Sequence, residues 1–165
     1  MSDAAATQTQ TLCVAHYWRG HAFDGQRLPL HWALFLISNA TPESLRESSS
    51  GKESADEVDH WGTCYQAIGN IDTFAYSRTD DECMEILADE YRGCLPLGDI
   101  DNSRLEEVDS LLQQVAVYRA REDWNCQNWV LAALDKLKSK GLVAPNVTPN
   151  GVRNELEDIL RAWKP

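Results

Sequence analysis

The segment Asp123-Trp-Asn-Cys-Gln-Asn-Trp-Val130 of this 165-residue chain holds the residue types closest to a reaction. Asp123 can cap a helix there, which places Cys126 in the first turn. At three- and four-residue spacing Cys126 shares a face with Val130, Ala133 or Leu134, and Leu137, and that face is apolar. The thiol therefore points toward the packed side of the helix. At its N-terminus, unpaired N–H groups and the positive dipole end favour a thiolate. A nucleophilic sulfur is the functional reading of Cys126; a buried structural cysteine is the plain one.

His31 is the natural base. It opens the run Trp32 to Ile37, in which Ala33, Phe35 and Ile37 share its face while Trp32, Leu34 and Leu36 take the other. Both faces are apolar, so this strand is expected at the centre of a sheet, covered on both sides. The small Ala33 is expected to leave room for a helix to approach. Gln66 alternates with Cys64 and Ile68 on a later strand and faces inward. Its carbonyl is suited to hold one imidazole nitrogen and fix the tautomer of His31, as the third member of a thiol–imidazole site does. His60, just before that strand, is the rival for this role. The plain readings are a satisfied half-buried histidine and an amide bonded to nearby backbone.

The elements that must position these groups are legible in outline. Strands are expected at Thr11 to Trp18, Trp32 to Ile37 (opened by His31), Thr63 to Ile68 and Thr73 to Ser77, with a fifth in the later half of Asp81 to Leu97. Helices are expected from Asp101–Ser103 to about Tyr118, from Asp123 to Lys140, and from Thr148-Pro149 through Trp163. The first helix carries the stripe Leu105, Val108, Leu111, Leu112 and Val115, with Glu106, Glu107 and Asp109 on a solvated face. Strands early and helices late give an α+β class, an antiparallel sheet packed against the cysteine-bearing helix. Residues 1–10 read as a disordered tail and 11–165 as one domain. The loops Arg19 to Pro29 and Thr41 to Val58 would shape specificity.

The order of these parts resembles the circularly permuted papain-like superfamily, which includes the lecithin–retinol acyltransferase-like proteins and the PPPDE peptidases. The resemblance rests on a strand opening His-Trp-Ala-Leu-Phe-Leu, a following strand with an inward polar residue, and a late helix opening Asn-Cys-Gln-Asn-Trp-Val. It covers roughly His31 to Leu137. It implies a permuted papain-like core, Cys126 as nucleophile and His31 as general base. Gln66 stands where that superfamily often has a second histidine or an asparagine. Backbone N–H groups at the Cys126 turn, flanked by Trp124, Asn125 and Gln127, would form part of an oxyanion hole.

Charge narrows the rest. Fifteen basic against 26 acidic residues give a net charge of −11, which argues against nucleic acid and against an anionic membrane surface. No apolar run approaches the ~20 residues of a membrane-spanning helix. Five cysteines without a C-x-x-C pair read as reduced thiols in a cytoplasmic protein. Cys13, His16 and His21 do not form a zinc site, because Cys13 and His16 lie on opposite faces of an extended strand. Asp80-Asp81-Glu82 reads as a turn or cap, and Trp18, Trp32 and Trp61 as core. The expected function is cofactor-free acyl transfer by a cysteine (hydrolase, transferase or cyclase) on a small-molecule acyl, peptide or isopeptide carbonyl. The alternative is a binding or scaffold domain of the same fold, without turnover, whose acidic surface meets a basic partner.

Overall fold

Five antiparallel strands form one sheet in the order β4-β3-β2-β1-β5. In chain order they are β1 (Thr9–Tyr17), β2 (His31–Ile37), β3 (Trp61–Ile68), β4 (Ala75–Cys83) and β5 (Tyr91–Asp101); α1 (Pro42–Ser48) follows β2, and α2 (Leu105–Gln113), α3 (Cys126–Ser139) and α4 (Pro149–Ala162) follow β5. The structure, a computed structural model, describes residues 8–38, 40–48, 59–86 and 89–163. The class is thus α+β with an antiparallel sheet, as composition and element order predict. Among the described residues no helix is long and apolar enough to cross a membrane.

Strand alternation divides the core into two layers. Leu12 and Val14 of β1 and Trp32, Leu34 and Leu36 of β2 meet Val108 and Leu112 of α2, Trp129, Val130 and Ala133 of α3, and Val152 and Leu156 of α4. The intervening residues Cys13, Ala15, Ala33, Phe35 and Ile37 face the other way and pack against Leu45 of α1, Met84 and Tyr91. The β2 strand is therefore central and covered on both faces, which is why its sequence is apolar at every position after His31. The helix α3 lies on the Trp32–Leu34–Leu36 side. The space left by the small Ala33 opens instead on the opposite face, so it does not serve the approach of that helix.

Several boundaries differ from the sequence reading. Thr9 and Gln10 already pair with Asp101 and Ile100, so the strand begins inside the segment read as a tail; residues 1–7 lie outside the described residues. The polar tract from Thr41 carries α1, and its part at 49–58 lies outside the described residues. The Asp80-Asp81-Glu82 run is not a turn but part of β4, with Asp81 at φ 51° where the β3–β4 register slips. Acids are poor strand formers, yet β4 is a sheet edge, where charge discourages pairing with another chain. The α2 helix stops at Gln113 rather than Tyr118, since the β-branched Val115 and Val117 that follow are weaker helix formers; Val115 still packs into the core. Asp109 is not simply solvated: it bonds Arg78 and the Tyr65 hydroxyl. Trp61 is 47% exposed and does not belong to the core.

His16 makes the fold sensitive to acid. It is 2% exposed and its Nε2–H donates to the Arg92 carbonyl at 2.8 Å. Burial, partly opposed by that bond, lowers its pKa to about 4. Between pH 6.5 and 4 the unfolded chain binds this proton and the folded chain does not, so falling pH favours unfolding. The stabilisation lost across that window is roughly 3 kcal/mol. Denaturant titration of His16→Leu should show a flatter dependence of stability on pH in that window than the wild type, by about 1.4 kcal/mol per pH unit.

Candidate active site

The start of α3 is built by its own side chains. Asn125 caps the helix, its Oδ1 accepting the Gln127 N–H at 2.9 Å, while Asn128 Oδ1 accepts the Asn125 N–H at 2.9 Å. This reciprocal capping box moves the start two residues beyond Asp123, whose carboxylate instead pairs with Arg121 on the surface. An Asn three residues after an Asn offers both halves of the box at once, which a lone Asp123 does not. The box occupies the donors on either side of Cys126. The Cys126 N–H itself, first in the helix, has no hydrogen-bond partner among the described residues. Among the described residues it is a backbone donor at this turn left for a developing oxyanion.

One hydrogen bond registers this turn against the start of β2. Gln127 Nε2 donates to the Leu30 carbonyl at 2.9 Å, pinning the helix beside the residue that precedes His31. The Trp32 N–H acts on the Cys126 sulfur and helps lower the thiol. β3 pairs with β2 only from Leu34 onward, leaving the first residues of β2 open on that side. The Gln66 side chain spans the same gap: its Oε1 lies 2.7 Å from His31 Nε2. A carbonyl oxygen only accepts, so Nε2 carries the hydrogen and Nδ1 is left for the thiol.

The electrostatics of the pair point one way. Burial pushes the Cys126 thiol up, but hydrogen bonding and charge from His31, the Trp32 N–H and the Arg19 charge outweigh it, and its pKa falls below the usual value. Burial likewise pushes His31 down, but hydrogen bonding and charge from Cys126, and then Gln66, carry it above 6.5. A lowered thiol beside a raised imidazole is the direction in which a thiolate–imidazolium pair moves both groups. Three other thiols go the opposite way: Cys13 and Cys64 are raised chiefly by a neighbouring thiol and by burial respectively, and Cys83 by burial and nearby acids. None of the five cysteines is paired in a disulfide.

The remaining residues singled out by sequence take other positions. His60 does not reach His31. It stands before the opposite end of β3, where its Nδ1 pairs with Glu85 at 2.6 Å and its backbone N–H bonds the same carboxylate. Trp124 is buried edge-to-face between Phe74 and Tyr118 and supplies packing. Asn125 Oδ1 is used in capping and Gln127 Nε2 in anchoring to Leu30, so both side chains are held in place at this turn.

Sequence reasoning overlooked two features. The first is a cavity of about 290 Å³ on the sheet face away from α3, with His31 and Gln66 in its wall. Its signal was the small Ala33 between two larger residues on one face. The second is a group of potential metal ligands, Asp59, Cys83 and Glu85, whose ligand atoms lie within 4.8 Å of one another. Glu85 is already engaged by His60, and the distance along the chain between these residues hides their proximity. Neither Cys126 nor His31 belongs to that group.

No curated protein and no solved structure shows significant similarity to the chain. One family model matches residues 21–144, a span that contains His31, Gln66 and Cys126, and by that match over most of its length the chain belongs to DUF6540, a family of unknown function.

Proposed function

We propose that this protein is a cysteine-dependent acyl-transfer enzyme on a permuted papain-like core. The reading is supported by His31, held by Gln66 at 2.7 Å, acting on Cys126 so that the sulfur is lowered and the imidazole raised in pKa. In the reaction the Cys126 thiolate attacks an ester, thioester or amide carbonyl, forming a C–S bond and placing negative charge on the carbonyl oxygen. The Cys126 N–H, at the positive end of the α3 dipole, stabilises that oxyanion. His31 Nδ1–H gives its proton to the leaving group as the tetrahedral centre collapses to a thioester. The neutral ring then takes a proton from water or another acceptor nucleophile, which attacks the thioester and expels the thiolate. Gln66 is a positioning residue, holding the ring so that Nδ1 faces sulfur.

A second reading, a binding module without turnover, is favoured by one observation: Cys126 is 2% exposed and is not among the residues lining the cavity that His31 and Gln66 border. Reaction with p-nitrophenyl acetate separates the two. The enzyme reading expects a burst of one p-nitrophenol per chain, acetyl mass added to the peptide carrying Cys126, and loss of both in Cys126→Ser. Release without a burst, equal in wild type and Cys126→Ser, would sink it and leave the binding module.

A further inference from the structure

Strand alternation builds the cavity and brings His31 and Gln66 to its wall, while Cys126 is not among its lining residues. His31, Ala33 and Phe35 succeed one another on one face of β2, and Cys64 and Gln66 do so on β3, with Phe35 paired to Cys64 in the register. The floor is apolar: Tyr17, Ala33, Phe35 and Cys64 line it and are all at most 9% exposed. Ile86, an aliphatic residue left 63% exposed, lines it as well. The exposed charges of Arg19 and Glu90 also border it, so the apolar volume is bounded by charge. A pocket of this kind, mostly apolar with a few convergent polar groups, is the usual form of a small-molecule site.

We propose that this cavity receives the acyl group of the substrate, an unbranched or aromatic acyl chain of bounded length. The inference rests on the acyl-transfer reading for its carbonyl end, which His31 and Gln66 border. The size follows from volume: about 290 Å³ is roughly twice the ~150 Å³ apolar cavity that takes one benzene, which corresponds to about ten to twelve carbons. A chain in the cavity covers Phe35, Cys64 and Ile86 with hydrocarbon, and a longer one meets the charged border.

The test measures binding apart from chemistry. Titration calorimetry of the full chain, wild type and Cys126→Ser, with N-methyl amides from acetyl to hexadecanoyl should show affinity rising about fourfold per methylene and levelling beyond about twelve carbons. Ala33→Phe, which fills the floor, should abolish the rise. Should that variant fail to fold, Ala33→Val should shorten the chain length at which the rise stops, and the wild-type series decides in any case. No rise with length, or a rise continuing unchanged to sixteen carbons, overturns the proposal, as does a rise indifferent to both variants of Ala33. Turnover of the matching p-nitrophenyl esters keeps the two claims apart. Length-dependent binding without Cys126-dependent turnover removes the enzyme and keeps the pocket. Turnover of the acetyl ester without length-dependent binding does the reverse.

Discussion

Replacing His31 by alanine should move the pH midpoint for alkylation of Cys126 by iodoacetamide upward, to or beyond the ordinary thiol value of about 8.5. In the wild type, burial raises the thiol, and the His31 hydrogen bond and charge are the largest influences opposing it. Without them, burial faces only the Trp32 N–H and the more distant Arg19. At neutral pH each unit of upward shift cuts the thiolate fraction about tenfold, while the intrinsic reactivity of the surviving thiolate rises only about threefold. The midpoint is the readout, because truncating the ring also uncovers a sulfur that the wild type buries. His31→Asn, which retains much of the cover, should show the same upward midpoint together with a rate at pH 7 reduced about tenfold or more for a shift of two units. A midpoint indifferent to both substitutions would mean that the ring does not activate the thiol.

The largest stability effect is expected at Gly62. A Cβ there would stand 1.8 Å from the Leu36 carbonyl oxygen and 2.7 Å from the Leu36 carbonyl carbon. These are backbone atoms of the adjacent central strand, so no side chain can swing aside. Gly62 lies opposite Ile37, at the place where the β3–β4 register shifts. Gly62→Ala must push β3 away from β2, at a cost of about 3–5 kcal/mol. For a domain of this size that is a fall in Tm of about 10 °C. Gly20→Ala is the contrast: φ is +82° but nothing lies within 4 Å, so only backbone strain is felt, about 1 kcal/mol. Thermal unfolding of the two variants checks the difference; equal, small shifts would show that the strands yield at that point.

Much of the site was legible because it depends on local rules. Alternation in His31 to Ile37 gives a strand buried on both faces, and the three- and four-residue apolar spacing after Cys126 gives a helix with its sulfur turned inward. What failed depends on distance through space. His60 and Gln66 are near in sequence, but six residues of extended strand span roughly 20 Å, so only one of them can reach His31. The charged run Asp80 to Glu82 resembles a turn because acids rarely occur in central strands, and sequence does not show that β4 is an edge. Ala33 signals vacant space without saying on which side of the sheet the space opens. The available N–H of Cys126 follows from the Asn125–Asn128 box, whose two halves are visible in the sequence once the helix start is placed correctly.

The central claim, that Cys126 and His31 share charge as thiolate and imidazolium, is most directly tested by titrating the His31 ring by NMR in wild type and Cys126→Ala. Burial alone lowers this imidazole, and the contact with Cys126 is what raises it. The wild-type ring should therefore titrate above 6.5 and fall in the variant, below 6.5 if burial then prevails over the Gln66 bond. A wild-type value below 6.5, or one unmoved by loss of the sulfur, would contradict the pair and the acyl-transfer chemistry built on it.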